Sequence, residues 1–589
     1  MISVRKKLTG IFSAAFTAEG IDASFGEVAV SNRPDLSHFQ CNGALPAAKT
    51  LKKKPRDIAD AVLSRVTDGG GMIAKATVDG PGFINITVSD ALLLEGALEL
   101  RRIDELASSL IDDKRMTLID FGSPNVAKPM HVGHLRSAII GDAVQRLCVY
   151  LGVPKVSINH LGDWGTQMGM LICALREKDP SLPYFDEKHA GEFPKTSPVT
   201  IDDLETMYPV QSKKCKEDET EMKKALEAIS LLQKGHAGYT ALWKHFVDIS
   251  RAQLENEFIA LGIRFDFWRG ESYYHGKIPS VIDDLTSRGI ASKSEGALVV
   301  HFSEEETGGK EIAPLLLVKS DGAYLYGTTD LTAVRDRVAE FSPARLLYVV
   351  DKRQSLHFTQ VFLAATRAAY AKDAELMHVP FGTVNGKDGK PFKTREGGVM
   401  KLSDLISMVV GKARERMAEA GVADGYPEAE REHVAKCVGL AALKYADLVN
   451  HRETDYIFDL DAFTRFEGKT GPYLLYTSVR IKSILRKAAE RGFTPGTLAV
   501  TGDPERALMA MLSRYPDVVI SAYEALLPNH LCEYLFELAQ AFNQFYISCS
   551  IINENDAAKR GSWLTLSEVT LTVLVSALSV LGIDVPERM

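Results

Sequence analysis

Two histidines that are separated by one valine and one glycine, His131-Val132-Gly133-His134, form the segment best suited to chemistry. They follow an apolar strand pattern and a Pro-Asn turn, and they begin a helical pattern, so both rings would lie near one face of a helix amino end. Free N–H groups and the helix dipole favour phosphate there, and imidazoles can donate hydrogen bonds to phosphate oxygens as charge builds during transfer. Gly133 would let a ligand approach the backbone. Helix-capping or metal-binding histidines are the alternative.

A second cationic segment lies far downstream, at residues 385–398, and its charges are Lys387, Lys390, Lys393 and Arg395. Its glycines predict a mobile loop that follows a strand. A leaving pyrophosphate would need such cations, and cations that arrive with the transition state contribute more to the rate than cations bound throughout. An exposed basic hairpin is the alternative.

The strands and helices that must position these two segments are predicted to form an α/β core. An apolar strand at residues 116–120 breaks at Gly122-Ser-Pro124, a helix covers residues 133–151, and a strand follows at residues 156–159. This βαβ order implies a parallel sheet with its ligand at the carboxyl ends of the strands. Three later segments are predicted to join the same sheet, namely residues 315–318, 345–350 and 380–384.

The rest of the chain divides around this core into predicted domains 1–105, 106–400 and 401–589. The first is mixed, with helix across residues 47–66 and a strand at residues 83–88. A polar stretch at residues 176–235 is interpreted as an insertion, with helices resuming from Tyr239. From residue 402 strands vanish and amphipathic helical periodicity begins, as at residues 531–546.

Composition limits the class of protein. A chain of 589 residues predicts three or four domains, and no stretch approaches the roughly 18 uninterrupted apolar residues of a membrane span. No signal peptide is evident, and the seven cysteines lack C-x-x-C spacing, which favours reduced thiols in the cytoplasm over a zinc or disulfide site. The net charge of −8 argues against wholesale nucleic-acid binding but permits a local basic patch at Lys52, Lys53, Lys54 and Arg56.

The histidine segment at residues 131–134 and the cationic segment at residues 385–398 together resemble the paired signatures of class I aminoacyl-tRNA synthetases. Lys390-Pro-Phe-Lys393-Thr394 stands where that family has Lys-Met-Ser-Lys-Ser, and it keeps both lysines. The segment from Ser123 to Ser137 is similar to arginyl-tRNA synthetases specifically. So are residues 80–85, 159–167, 444–447, 471–473 and the terminal Arg588-Met589, so the resemblance covers the whole chain.

This resemblance implies a Rossmann-like parallel-sheet catalytic core with an inserted subdomain, an N-terminal α+β domain and a C-terminal all-α anticodon-binding domain. It also implies an arginine–tRNA ligase. Such an enzyme activates L-arginine with ATP to arginyl-adenylate plus pyrophosphate and then transfers arginine to the 3′-terminal adenosine of tRNA(Arg), at the 2′-hydroxyl. Mg²⁺ would accompany ATP. The implied protein is a cytoplasmic monomer without a membrane partner, and it needs bound tRNA before it activates arginine.

The implied catalysis consists of positioning and charge stabilisation. The resemblance assigns the catalytic contacts to His131, His134, Lys390 and Lys393. It assigns ATP binding to His131, Gly133, His134, Lys128 and Lys393. The role of Lys128 stays open, because relatives that lack the lysine loop are thought to use such a residue in its place and this chain has both.

For arginine, a guanidinium needs a carboxylate and several neutral acceptors. The implied contacts are Asp120, Asn125, His160, Tyr326, Asp330 and Gln354, with Asp330 for the guanidinium and Asp120 for the α-amino group. Each has an ordinary alternative: Asp330 as a helix cap, Tyr326 as a half-buried strand residue, Gln354 as a surface residue and His160 as a buried, satisfied histidine. Asp163 is interpreted as a turn residue, and Trp164 and Gln167 as structural.

For tRNA, the resemblance assigns anticodon recognition to the C-terminal helices. Tyr473, Tyr476, Phe542 and Tyr546 could stack on unpaired bases, although Phe542 and Tyr546 lie on a periodic helix and are expected in the core. The N-terminal domain is expected at the tRNA elbow, through the basic patch of Lys52 to Arg56.

Three rival functions agree less well with the sequence. A cysteinyl or glutaminyl synthetase is one, but the cysteinyl type should show zinc-binding cysteines. A non-catalytic tRNA-binding relative would have lost a signature histidine or a loop lysine, and this chain retains them. A small cytidylyltransferase-like enzyme would not explain the two flanking domains.

Overall fold

The computed structural model describes residues 3–33, 36–66, 70–390, 392 and 400–589. The proposed catalytic Lys393, together with Thr394 and Arg395 of the same loop, lies outside the described residues. Helices and strands are numbered below in chain order.

The N-terminal domain is a four-stranded antiparallel sheet, in the order β1-β2-β4-β3, packed against helices. The predicted strand at residues 83–88 is confirmed, and the predicted helix at residues 47–66 is two helices that meet at Lys52, which adopts the left-handed conformation. The elements are α1 (Val4–Ala18), β1 (Val28–Val30), β2 (Phe39–Cys41), α2 (Ala44–Leu51), α3 (Pro55–Arg65), β3 (Ile73–Asp79), β4 (Phe83–Val88), α4 (Asp90–Leu100) and α5 (Ile103–Leu106).

The core is a five-stranded parallel sheet in the order β12-β11-β5-β6-β7, which confirms the predicted βαβ unit. Every residue of β5 is buried, as expected for a parallel strand that is covered on both faces. The elements are β5 (Thr117–Phe121), α6 (Val132–Tyr150), β6 (Lys155–Asn159), α7 (Thr166–Lys178), α8 (Ile201–Glu217), α9 (Glu219–Gln233), α10 (Ala237–Ala260), β7 (Phe267–Trp268), α11 (Glu271–His275), α12 (Ile278–Ser287), β8 (Ser292–Ser294), β9 (Ala297–Val300), β10 (Leu315–Val318), α13 (Tyr326–Phe341), β11 (Arg345–Val349), α14 (Ser355–Arg367), β12 (Glu375–His378) and β13 (Val384–Asn385).

Two strand predictions for this sheet are wrong. β10 is a strand, but it pairs antiparallel with β9 in a separate three-stranded sheet, because a short apolar run does not reveal which partner it will meet. The outer neighbour of β11 in the sheet is β12 rather than residues 380–384. Pro380 has no N–H for a sheet ladder, whereas β12 is a half-polar edge strand that lacks the apolar signal.

The insertion at residues 176–235 contains helices, so the expectation that helices resume only from Tyr239 is wrong. α8 and α9 pack on α7 and form a small cluster with Met170, Cys215 and Ala225 at its centre. Their faces are mostly solvated, which is why composition alone suggested an irregular segment.

The C-terminal part is helical, as predicted, with one exception. A short strand, β14 (Tyr456–Ile457), pairs in parallel with β13, which leads into the lysine loop. The helices are α15 (Leu402–Glu419), α16 (Glu428–Leu448), α17 (Leu460–Phe463), α18 (Gly471–Glu490), α19 (Asp503–Leu512), α20 (Tyr515–Ala525), α21 (Asn529–Ser548) and α22 (Ala557–Val580).

By length and composition α22 could cross a membrane, but 72% of its most apolar window is buried inside the protein. It packs against α18 and α21. Its apolar character is therefore that of a core helix of the helical domain.

A buried ion pair joins the core to the helical domain. Arg136 on α6 donates from Nε to Asp447 Oδ1 on α16 at 2.9 Å, and the two side chains are 1% and 0% exposed. Arg136 Nη1 also donates to the carbonyl of Thr454, just before β14. The helix that carries the two histidines is thus attached to the helical domain close to the point where β13 and β14 pair.

Candidate active site

The two histidines lie at the amino end of α6, as predicted, and they cap the helix. The backbone N–H of Gly133 donates to His131 Nδ1 at 3.0 Å, and the backbone N–H of His131 donates to His134 Nδ1 at 3.1 Å. The ring centroids are 4.0 Å apart. Capping therefore uses only Nδ1 of each ring, so it is compatible with a phosphate role for the other nitrogen.

Both imidazoles are neutral near pH 7. Burial and the nearby Lys128 lower the pKa of His131, and burial lowers the pKa of His134 to about 3. Because each Nδ1 accepts a backbone N–H, the single ring proton sits on Nε2. The pair can therefore present two neutral N–H donors to an anion.

Gly133 is required by the capping geometry. A Cβ atom at this position would lie 2.7 Å from His131 Cε1 and 2.8 Å from His131 Nδ1. Any side chain would therefore displace the His131 ring. The sequence argument assigned the missing side chain to ligand access, and the contact with His131 is a second reason for glycine.

The lysine loop is attached to the core at both ends. On one side β13 pairs with β14, and the backbone N–H of Gly386 donates to the carbonyl of Lys390 in an exposed turn. On the other side Val132 N–H donates to the Met400 carbonyl, and Leu402 N–H donates to the Met130 carbonyl. The far end of the loop thus begins beside the histidine pair, while Lys390 itself is exposed.

Apart from the histidine pair, the site contains a cleft of about 440 Å³ at the carboxyl ends of β5, β6 and β11. All six residues predicted for arginine line it: Asp120, Asn125, His160, Tyr326, Asp330 and Gln354. Asn125 reaches it because its backbone bridges to Gly162, where a Cβ would lie 2.1 Å from Asn125 Oδ1. The spatial convergence of these residues agrees with the sequence argument.

A fully buried arginine, Arg337 on α13, lies behind the cleft and contacts three of the residues that line it. Its Nη1 lies 2.7 Å from Asp120 Oδ2, and its Nη2 lies 3.1 Å from His160 Nδ1. Tyr274 and Tyr348 hydroxyls accept from the same guanidinium at 3.1 and 3.2 Å. The Arg337 guanidinium is thereby paired with the Asp120 carboxylate, and since His160 Nδ1 accepts, the His160 ring proton is on Nε2.

Asp330 is the fifth residue of α13 and not its cap, because the N-cap is Leu325. His357 Nε2 lies 2.6 Å from Asp330 Oδ2, and this contact lowers the pKa of Asp330 against the effect of its burial. Tyr326 is the first helical residue and is 67% exposed, so the strand alternative for it is wrong. Gln354 is exposed at the rim, in a short 3₁₀ turn after β11.

Sequence reasoning missed a third carboxylate in this cleft, Glu271. Burial, with Asp163 and Asp330 close by, raises the pKa of Glu271 to about 7. Asp163 accepts from the backbone N–H and the hydroxyl of Ser272, so it positions the turn that carries Glu271. The only sequence signal was an acidic residue after a two-residue strand, which is too weak to select it.

An aromatic and basic surface lies on the helical domain. Tyr476 and Tyr546 are 37% and 38% exposed, and the Arg480 guanidinium lies 4.7 and 5.8 Å from their ring centroids. The expectation that Tyr546 is a core residue is wrong, because it lies in the last turn of α21 with its side chain partly in solvent. Phe542 is fully buried, as expected, and the Tyr473 hydroxyl accepts from Asn543.

Comparison with known proteins identifies three family models along the chain. The catalytic domain described as "tRNA synthetases class I (R)" matches residues 101–460. The "Arginyl tRNA synthetase N terminal domain" matches residues 3–88, and the "DALR anticodon binding domain" matches residues 474–589.

Full-length relatives agree with these models. The chain is 47% identical to an arginine–tRNA ligase of Hyphomonas neptunium over 100% of both chains, and 46% identical to that of Maricaulis maris with the same coverage. Its fold matches the crystal structure of arginyl-tRNA synthetase from Plasmodium falciparum with a TM-score of 0.83 at 26% identity, covering 100% of both chains.

The capping geometry predicts the protonation of the histidine pair. In ¹⁵N-histidine NMR spectra we expect His134 to stay neutral between about pH 5 and 8, with its proton on Nε2. Signals are assigned with His131→Gln and His134→Gln variants, and free histidine serves as the reference. A protonated ring or an Nδ1–H tautomer for His134 at neutral pH would contradict the assignment.

Proposed function

This chain belongs to the arginyl-tRNA synthetase family of class I synthetases, and we propose that its histidine pair and its acidic cleft together join L-arginine to tRNA(Arg) at the expense of ATP. The observation that carries the proposal is the convergence of two carboxylates, Asp330 and Glu271, in a cleft at the same edge of the sheet as a neutral pair of phosphate donors. A cationic amino acid and an ATP phosphate could thus meet across the strand ends.

The first chemical step needs no protein nucleophile. The arginine carboxylate attacks the α-phosphorus of ATP, pyrophosphate leaves, and arginyl-adenylate forms. The Nε2–H groups of His131 and His134 donate to phosphate oxygens as their charge builds. Lys390 and Lys393 neutralise the leaving pyrophosphate, and Mg²⁺ accompanies the ATP phosphates.

The second step transfers arginine to tRNA. The 2′-hydroxyl of the terminal adenosine attacks the carbonyl carbon of the adenylate, AMP leaves with the electron pair of the broken C–O bond, and the hydroxyl proton passes to a phosphate oxygen of the departing AMP. Stabilisation of the departing phosphate again falls to the histidine pair. In both steps the protein contributes position and charge, which suits a site whose imidazoles are held neutral and fixed by backbone contacts.

The acidic cleft suits arginine in size and charge. Asp330 accepts hydrogen bonds from the guanidinium through Oδ1, while His357 Nε2 contacts Asp330 Oδ2. Glu271 supplies a second carboxylate acceptor for the guanidinium. Asp120 accepts the α-ammonium group. The further proposed contacts, which complete the amino-acid end and the rim, are Asn125, His160, Tyr326 and Gln354.

For tRNA, we assign the surface of Tyr476, Arg480 and Tyr546 to stacking and charge contacts with anticodon bases. The basic patch Lys52, Lys53, Lys54 and Arg56 is exposed on the N-terminal domain and faces solvent, as contact with the tRNA elbow requires. The seven cysteines are all free thiols, which supports a cytoplasmic setting, and we infer a monomer.

The function is tested by arginine-dependent ATP–pyrophosphate exchange with and without cognate tRNA. We expect exchange only when tRNA is present, and a His134→Gln variant should lose about 10²- to 10³-fold in rate, the usual cost of one oxyanion donor. No exchange by folded protein with tRNA would reject the catalytic function and favour the alternative of a non-catalytic tRNA-binding relative.

The guanidinium assignment predicts a selective effect on arginine. Asp330→Asn should raise the KM for arginine by roughly two orders of magnitude and leave the KM for ATP within a few-fold, because a partly buried charge partner of the guanidinium is lost. Asp336→Asn is the matched control, since Asp336 is on the same helix but is paired with Lys277. Equal changes for arginine and ATP would show that the guanidinium binds elsewhere.

The raised pKa of Glu271 predicts a pH dependence. A guanidinium binds the ionised carboxylate, so below a pKa of about 7 arginine must displace a proton. The KM for arginine should therefore rise by up to about tenfold per pH unit as pH falls below 7. Glu271→Gln should flatten this profile and raise the KM for arginine most at pH above 7, where the wild-type carboxylate is ionised, and a wild-type KM that is constant across this range would contradict the assignment.

A further inference from the structure

Helix α8 of the insertion reaches the phosphate site with two side chains from one face. Glu205 and Tyr208 are three residues apart, a spacing that puts both on the same side of a helix. The Lys128 ammonium lies 4.6 Å from the Tyr208 ring centroid, and the Lys401 ammonium lies 2.6 Å from Glu205 Oε2. These two lysines flank the histidine pair in the fold.

The Tyr208 ring is held from behind by the core of the insertion. It packs against the cluster of Met170, Cys215 and Ala225, which is formed by α7, α8 and α9. A cation held on the face of such a ring has a fixed position, whereas a free lysine samples many rotamers. Lys128 acts on the site electrostatically, since its charge contributes to the lowered pKa of His131.

The second contact holds the point where the lysine loop rejoins the core. The backbones of Lys401 and His131 form an isolated antiparallel β-bridge. Two backbone hydrogen bonds flank this bridge, from Val132 N–H to the Met400 carbonyl and from Leu402 N–H to the Met130 carbonyl. The Glu205 side chain is 14% exposed and the Lys401 side chain is 48% exposed, so water reaches this ion pair mainly from the lysine side. The insertion thereby holds the fixed end from which the loop extends.

Pro209 separates these contacts from the rest of α8. It lies inside the helix and has no N–H to bond to the carbonyl of Glu205 four residues earlier. The turn that carries Glu205 and Tyr208 is therefore less tied to the remainder of α8 and relies more on its contacts with the core.

We propose that α8 is a positioning element of the ATP site, in which Tyr208 and Glu205 fix Lys128 and Lys401 beside the histidine pair so that Lys128 meets the triphosphate. The inference rests on the proposed function, because it takes the histidine pair as the phosphate site. It gives the insertion a role in ATP binding, and it makes Tyr208 and Glu205 positioning residues that act through the lysines.

The test is ATP–pyrophosphate exchange in the presence of tRNA, with ATP and arginine varied separately. Tyr208→Leu should raise the KM for ATP by roughly three- to tenfold, as expected for a lost cation–π contact, and leave the KM for arginine unchanged. Tyr208→Phe keeps the ring face and should behave as wild type. Glu205→Gln should likewise raise the KM for ATP or lower kcat without affecting the KM for arginine.

A double variant separates positioning from general structural damage. If Tyr208 acts through Lys128, then Lys128→Met with Tyr208→Leu should be no worse than Lys128→Met alone. Glu217→Gln is the matched control, since Glu217 is on α8 with its side chain 66% exposed and should leave the kinetics unchanged.

Three results would overturn the proposal: additive effects in the double variant, equal losses from Tyr208→Phe and Tyr208→Leu, or no effect of Lys128→Met. Each presupposes exchange by the wild-type protein. Absence of wild-type exchange would instead reject the proposed function, so the two failures are distinguishable.

Discussion

The buried guanidinium of Arg337 is the constraint on which the acidic cleft depends. Desolvating an arginine costs several kcal/mol unless its donors are paired, and here the partners come from β5, β11, α11 and the end of β6. Asp120 and His160 cannot shift without leaving that charge unpaired. The floor of the cleft is therefore rigid before any ligand enters, which is what recognition of a flexible, charged amino acid requires.

The phosphate site is built differently, from backbone. The rings of His131 and His134 are held by N–H groups at the start of α6, and the low pKa of His134 follows from its burial. A neutral donor keeps its proton when a phosphate approaches, so the same nitrogen can serve both chemical steps. The histidines themselves need not give up a proton in either step, and their arrangement depends on Gly133, because a side chain at that position would collide with the His131 ring.

The two sites are tied to the flanking parts of the chain through α6 and the lysine loop. Arg136 joins α6 to α16 in a buried ion pair, and β14 of the helical part pairs with β13 at the start of the loop. The insertion holds the other end of the loop through Glu205 and Lys401. Structural elements far apart in sequence thus converge on one short stretch around His131. Each of them can influence the position of the side chains that would contact the ATP phosphates.

Sequence by itself determined the parts whose signals are local. The βαβ pattern predicted the strand, helix and strand around residues 117–159, the helical periodicity predicted the C-terminal part, and the family resemblance named six of the side chains that line the cleft. Tertiary structure alone decided the partners of short strands, such as β10 and β12, because an apolar run of four residues carries no information about its neighbour. It also decided Arg337, Glu271 and Tyr208, which matter through contacts with residues distant in the chain. The physical reason is that charge pairing and burial depend on which surfaces meet after folding, and no local pattern records that.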